Sequence, residues 1–171
     1  HPEIFSTHKG GGYWAWKPLI ILDALKLSDE VLYLDSSVIY PNIAGVMRVF
    51  DGTELLAATQ TSFINKEWTK RSCFRNMNCD TEEYWNTMQV WAGVVCARKQ
   101  SIEIIREWRD YCLNLDTVSD IMSKNNFPTF KAHRHDQSIL TNILLKHKQL
   151  YIDTTGFYDN NNFSDTHSRI R

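Results

Sequence analysis

Asp35 closes the run Glu30-Val31-Leu32-Tyr33-Leu34 and is followed by Ser36 and Ser37. A short apolar, partly β-branched run of this kind reads as a strand buried on both faces of a parallel sheet. In open α/β sheets ligands bind beyond the carboxyl ends of the strands, so an acid emerging there is placed for chemistry. A turn opened by acidic and Ser residues is the plainer alternative. A second polar group, His133-Arg134-His135-Asp136-Gln137, precedes Ile139, Leu140, Ile143 and Leu144 at helical spacing. Asp136 therefore sits near a helix start, where the macrodipole favours a carboxylate. Capping accounts for the acid but not for Arg134 and two histidines beside it. Lys17 is the polar exception between an aromatic cluster and an apolar helix, and Gly93 interrupts a later apolar strand. Together these are the components of a site for a sugar carried on a diphosphate. The carboxylate and hydroxyl oxygens are hard ligands for Mg²⁺ or Mn²⁺, Lys17 would balance diphosphate charge, and Asp136 with Gln137 would hydrogen-bond sugar hydroxyls.

The elements that must position these groups follow from pattern and punctuation. Pro18 opens a helix that runs to Leu27, because a proline at the first helical position forfeits no hydrogen bond. A second helix spans Ile43 to Phe50 and ends at Asp51-Gly52, and Leu55 to Thr59 reads as a short strand. Residues 65 to 84 are polar, with apolar positions spaced for short helices at best, and read as an inserted active-site or acceptor-facing region. Gln89 to Ala97 is a second buried strand, in which Gly93 marks the close approach of a backbone or a ligand. Ser101 to Leu113 is an amphipathic helix with Ile102, Ile105, Trp108 and Cys112 on its apolar face and Ser101 as its N-cap. A helical turn is expected at Val118 to Met122, and Leu150 to Ile152 is a last strand. Residues 1–12, ending in Gly10-Gly11-Gly12, and residues 154–171 read as loop-like ends. Tyr13, Trp14 and Trp16 read as packing at a helix entry rather than as a sugar-stacking platform. Strands alternating with helices predict an α/β sheet with crossovers.

With 171 residues and 43% hydrophobic content the chain can bury one sizeable core, which predicts a single domain over 1–171. Both charge signs are mixed and the net charge is −1. That leaves no basic field to gather phosphate backbones, so nucleic acid is not an expected partner. No apolar run approaches the roughly 20 residues that cross a bilayer. Cys96 and Cys112 fall on apolar patterns as small buried hydrophobes, whereas Cys73 and Cys79 lie in the polar segment and would pair in an oxidising compartment. A zinc site built from His133, His135 and a cysteine is a further reading of the HxH spacing.

The succession YWAWKPLIILDAL, VLYLDSSV, MQVWAGVVCARK and HRHDQSILTNIL resembles the nucleotide-diphospho-sugar transferase superfamily of GT-A glycosyltransferases, in its capsular-polysaccharide and glycogenin-like branches. The resemblance spans Tyr13 to Tyr151. It implies a Rossmann-type, mostly parallel sheet flanked by helices, and transfer of a sugar from a nucleotide-diphosphate donor to a saccharide or protein hydroxyl, as in polysaccharide biosynthesis. In that family a strand-end DxD motif binds the donor and a divalent metal. Asp35 matches its first acid, and Ser37 occupies the second acidic position. By the same resemblance Lys17 and Arg134 would contact the donor. Ala92-Gly93 matches the family's N-A-G strand motif, with Trp91 in place of Asn. Asp136 and Gln137 match the D-Q pair at the donor sugar and are the expected catalytic residues. His167 matches a late metal-binding His, which with Asp35 would hold Mn²⁺ or Mg²⁺. The family's first βαβ half has no counterpart before Tyr13, so the chain is expected to be the later part of such a domain, acting in the cytoplasm or, with an upstream targeting segment, in the secretory lumen. The alternative is a non-catalytic carbohydrate-binding or interaction module on the same scaffold.

Overall fold

The computed structural model describes residues 1–38, 43–149 and 151–152. The chain begins with one helical turn, α1 (Pro2–Phe5), whose Ile4 is fully buried. The expected loop over residues 1–12 is therefore corrected, because Ile4 belongs to the main apolar cluster and pins the segment to it. The next turn, α2 (Gly10–Tyr13), is left-handed. Gly10, Gly11, Gly12, Tyr13 and Trp14 all have φ between 57° and 99°. Glycine enters this region without a Cβ clash. Tyr13 and Trp14 do not, and they occupy it at a cost of about 1–3 kcal/mol each that the surrounding packing must offset.

The first core helix is α3 (Trp16–Ala24). Pro18 falls inside its first turn rather than at its first residue, still where no intrahelical N–H is required. Then come β1 (Glu30–Leu34), α4 (Ile43–Phe50) and β2 (Leu55–Ile64). The polar segment supplies three short helices, α5 (Asn65–Trp68), α6 (Arg71–Asn76) and α7 (Glu82–Trp85). They are followed by β3 (Met88–Arg98), a 3₁₀ turn at Lys99–Ser101, α8 (Ile102–Cys112), α9 (Leu115–Val118), α10 (His135–Lys146) and β4 (Tyr151–Ile152). Ser101 does not cap α8, since its hydroxyl donates to the Arg98 carbonyl instead. The expected turn at Val118 forms three residues earlier, where the Asn114 side chain accepts from the Thr117 N–H. The loop-like end at 154–171 lies outside the described residues.

The strand order is β1-β3-β2-β4. β3 runs antiparallel to both β1 and β2, and among the described residues only the two-residue pairing of β2 with β4 is parallel. The expected Rossmann-type, mostly parallel sheet is thus corrected. Its cause is visible in the topology. β1, α4 and β2 do form a unit whose two strands share a direction, as alternating patterns demand, but β3 enters between them from the opposite direction. β1 is also half-buried at one end of the described strand order rather than sandwiched within it.

Both faces of the sheet are covered, unequally. α3, α6, α8 and α10 pack Ile21, Phe74, Ile105, Trp108, Ile139 and Ile143 against Ala57, Val90, Ala92 and Val95. α4 covers the other face with Val46 and Phe50 over Leu56, Trp91, Val94 and Cys96. Cys73, Cys79, Cys96 and Cys112 are all free and buried, so the pairing considered for Cys73 and Cys79 is not formed. Burial holds all four thiols well above their ordinary range. Among the described residues no helix is long and apolar enough to cross a membrane.

The β2–β3 ladder is broken at one place. Ala57 pairs with Val95 but the next residue, Ala58, pairs with Trp91, which leaves Ala92, Gly93 and Val94 without partners on β2. The bulge resets the alternation of faces, and it explains Gly93. A Cβ there would lie between 2.3 and 2.5 Å from the Trp91 indole. The close approach expected at Gly93 is therefore made by a neighbouring side chain. Gly93→Ala should drive Trp91 out of its place and destabilise the chain by about 1–3 kcal/mol, read as a lower urea midpoint with altered tryptophan emission. An unchanged midpoint would mean that the indole has room to move.

Candidate functional site

Lys17 lies in the first turn of α3 and is only 4% exposed. Its ammonium is 3.0 Å from Asp35 Oδ1 and 3.1 Å from Asp35 Oδ2. It also donates to the Ala92 carbonyl at 3.1 Å, one of the groups that the bulge releases from the ladder. Asp136 Oδ2 stands 3.5 Å away, close enough for an ion pair but long for a hydrogen bond. Three distant segments thus meet at one buried cation: the end of β1, the bulge of β3 and the start of α10.

Two carboxylates around one ammonium do not share the charge equally. Asp35 also accepts a hydrogen bond from the Tyr33 hydroxyl. That bond, added to burial, holds the Tyr33 hydroxyl protonated well beyond its usual range. Asp136 is buried and its Oδ2 has no hydrogen-bond partner. Burial pushes its pKa up to about 7, Lys17 pulls against that, and the nearby Asp35 charge adds to it. The result is an acid that changes protonation near neutrality beside one that is held by a cation.

These residues line a cleft of about 550 Å³. The sequence-predicted residues Lys17, Asp35, Ser37, Ala92, Gly93, Arg134, Asp136 and Gln137 all border it. His167 lies outside the described residues. Ser37 is exposed at the mouth. Trp14, Trp68 and Trp91 also contribute to the walls and were not expected there. A second recess of about 420 Å³ meets the cleft at Trp14, Asp35 and Ser37 and is bounded by Trp16 and Tyr33. The aromatic cluster read as helix-entry packing is half-buried, with Trp14 on both recesses and Trp16 on the second.

A polar network beneath the cleft holds Gln137. Its amide donates to Gln89 Oε1 at 2.8 Å, and Gln89 Nε2 lies 2.9 to 3.2 Å from Thr69 Oγ1, Ser138 Oγ, Asn65 Oδ1 and the Trp68 carbonyl. Asn65, Thr69, Gln89 and Ser138 are all fully buried. The signal missed in the sequence was Gln89 itself, a polar residue opening an apolar strand run.

The two histidines are structural in this arrangement. His133 Nδ1 accepts the Lys70 N–H and its Nε2 donates to the Thr117 carbonyl, so both nitrogens are occupied and the zinc reading loses one ligand. His135 donates from Nδ1 to the Val118 carbonyl at 2.7 Å, and burial lowers its pKa to about 4.

A divalent ion at Asp35 does not fit this geometry. Both Asp35 oxygens already face the Lys17 ammonium, one of them also accepts Tyr33, and Ser37 offers a neutral hydroxyl where a second acid would be needed. Among the described residues no three His, Cys, Asp or Glu side chains gather to hold a metal.

Because Asp136 titrates near 7 in the folded chain and near 3.8 as an ordinary aspartate, the folded state keeps a proton that the unfolded chain has released between those values. Its contribution to stability therefore falls as pH rises through that window. The buried His133 and His135 act in the opposite sense, since they stay neutral while the unfolded chain takes up protons below about 6.5. The clean measurement is a difference. From pH 5 to pH 8, wild-type stability relative to Asp136→Asn should decline by roughly 1–3 kcal/mol in urea unfolding, and a flat difference would place the titration elsewhere. No family model, curated protein or solved structure significantly matches this chain.

Proposed function

We propose that the chain is a nucleotide-sugar-dependent glycosyltransferase, or the part of one that holds the donor's sugar and diphosphate, acting on a saccharide or protein hydroxyl. One observation carries the reading. Eight residues marked by four separate sequence stretches for a sugar-diphosphate site border a single cleft, although nothing in their spacing along the chain requires them to meet. The volume of the cleft suits a hexose with its phosphates, and indole walls suit the apolar face of a sugar ring.

In this reading Lys17 holds the two carboxylates together at the cleft, and burial sets the protonation of Asp136. Asp136, ionised above about pH 7, then accepts the proton of the attacking hydroxyl as the hydroxyl oxygen bonds the anomeric carbon and the diphosphate departs with the electrons of the broken C–O bond. Gln137, anchored through Gln89, holds hydroxyls of the donor sugar. Asp35 and Ser37 stand where the cleft joins the second recess, and in this reading the acceptor hydroxyl enters from that side. No step is assigned to a metal ion, because Lys17 occupies the face of Asp35 that such an ion would need.

The same indole walls would serve a carbohydrate-binding module, which is the competing reading. Incubation with a panel of UDP- and GDP-sugars and simple saccharide acceptors, with and without Mn²⁺, separates the two. Release of UDP or GDP that falls at least about 100-fold in Asp136→Asn supports the transferase. Saccharide binding without nucleotide dependence and without turnover would leave the binding module. A strict Mn²⁺ requirement would mean that a metal ion enters with the donor, for which the resting Lys17–Asp35 pair does not provide.

A further inference from the structure

Three cations border the cleft: Lys9, Lys17 and Arg134. Two of them are spent. Lys9 is paired with Asp120 at 2.8 Å, and Lys17 is held by two carboxylates and a carbonyl. Arg134 has no carboxylate or other anionic partner among the described residues. Its guanidinium is instead stacked on two aromatic rings, 4.7 Å from the Trp68 ring and 5.0 Å from the Phe63 ring. Those rings pack on each other with centroids 4.6 Å apart. Neighbouring Lys131, which also stands over Trp68, is neutralised by Glu67.

The support is rigid. The Arg134 backbone N–H donates to the Trp68 carbonyl at 3.0 Å, and Ser138 donates to the same carbonyl at 2.8 Å, so α5 and the start of α10 are tied at the point where the side chain leaves. Stacking fixes the plane of the guanidinium, its edge makes no hydrogen bond among the described residues, and that edge is the fork that matches two phosphate oxygens. Partial burial strengthens any charge pair formed there, and it lowers the Arg134 pKa from its ordinary value.

We infer that Arg134, held on the Trp68–Phe63 platform, is the anchor for the phosphate end of the ligand in this cleft, and that Lys17 does not meet the phosphates in the resting arrangement. The inference rests on the reading that the cleft takes a nucleotide diphosphate, and it assigns the diphosphate to the rim at the start of α10. Arg134 is here a binding residue and carries no chemical step.

The test is calorimetric titration at low, fixed ionic strength with inorganic phosphate, pyrophosphate, UDP and uridine. The proteins are wild type, Arg134→Gln, Arg134→Lys and the control Arg106→Gln, which removes a charge from a surface pair with Glu103 on α8. Pyrophosphate and UDP should bind the wild type and lose at least about tenfold in affinity in Arg134→Gln. Arg134→Lys should recover only part of the loss, since an ammonium keeps the charge without the fork. Uridine should be indifferent to Arg134, and Arg106→Gln should behave as wild type. Equal pyrophosphate affinity in wild type and Arg134→Gln, or an equal loss in Arg106→Gln, overturns the inference, as does a wild type that binds neither pyrophosphate nor UDP. Inorganic phosphate binding as tightly as pyrophosphate would also overturn it by reducing the site to one for a lone anion. Arg134-dependent binding of UDP without turnover of any UDP- or GDP-sugar would keep this inference and remove the transferase reading. Turnover indifferent to Arg134 would do the reverse.

Discussion

A lysine ammonium buried at 4% exposure is the constraint on which the rest of the structure depends. An unpaired charge in such a place costs several kcal/mol, and the cost is met only by partners with good geometry. Lys17 finds them on three elements that are far apart in sequence: Asp35 after β1, the Ala92 carbonyl in β3 and Asp136 in α10. The bulge in β3 is part of the same solution, since a regular ladder would have consumed the Ala92 carbonyl. Burial of Lys17 is therefore tied to assembly of the cleft, and the groups proposed for chemistry are also those that neutralise its ammonium.

A second polar construction lies beneath the first. α10 is buried nearly all round, and its Ser138, Thr141 and Asn142 must find partners inside the protein. Thr141 accepts the Val90 N–H, Asn142 accepts from Asn65, and Ser138 donates to the Trp68 carbonyl. Fully satisfied networks of this kind rigidify and specify one arrangement. Here they tie α10 to β3 and to the short helix α5, and through that tie the orientation of Gln137 and the Arg134 platform are set. Lys70 completes the same region, buried and donating to the Ser119 carbonyl at 2.7 Å.

Much of this was legible in the sequence. α4 has the bounds its pattern predicts, β3 extends its expected strand by one residue at each end, and the strand-end Asp35 and helix-start Asp136 do converge. Strand direction was not legible, because a short apolar run looks the same in either direction and the alternating pattern is honoured by β1 and β2 without their being neighbours. The polar segment hid its contribution for a different reason. Asn65, Thr69 and Lys70 look like surface residues until the partners that satisfy them, 19 to 77 positions away, are brought into place. For Cys73 and Cys79 the sequence leaves pairing open for a similar reason, since polar neighbours conceal two thiols that pack into the core.

The glycine triplet that introduces Tyr13 and Trp14 carries a consequence for how such sequences are read. Gly10-Gly11-Gly12 is ordinarily taken as slack in the chain. In this protein the triplet winds backwards, against the hand of every helix that follows, and Gly10 and Gly12 have no room for a methyl group, which would strike Trp14 in one case and Phe5 in the other. The reversed turn carries Trp14 to the wall of the cleft and packs Tyr13 4.9 Å from the His135 ring, where that residue also has positive φ. Three residues that suggest a hinge thus behave as a bracket, and the smallest side chains in the protein set where Trp14 meets the cleft and where Tyr13 meets His135.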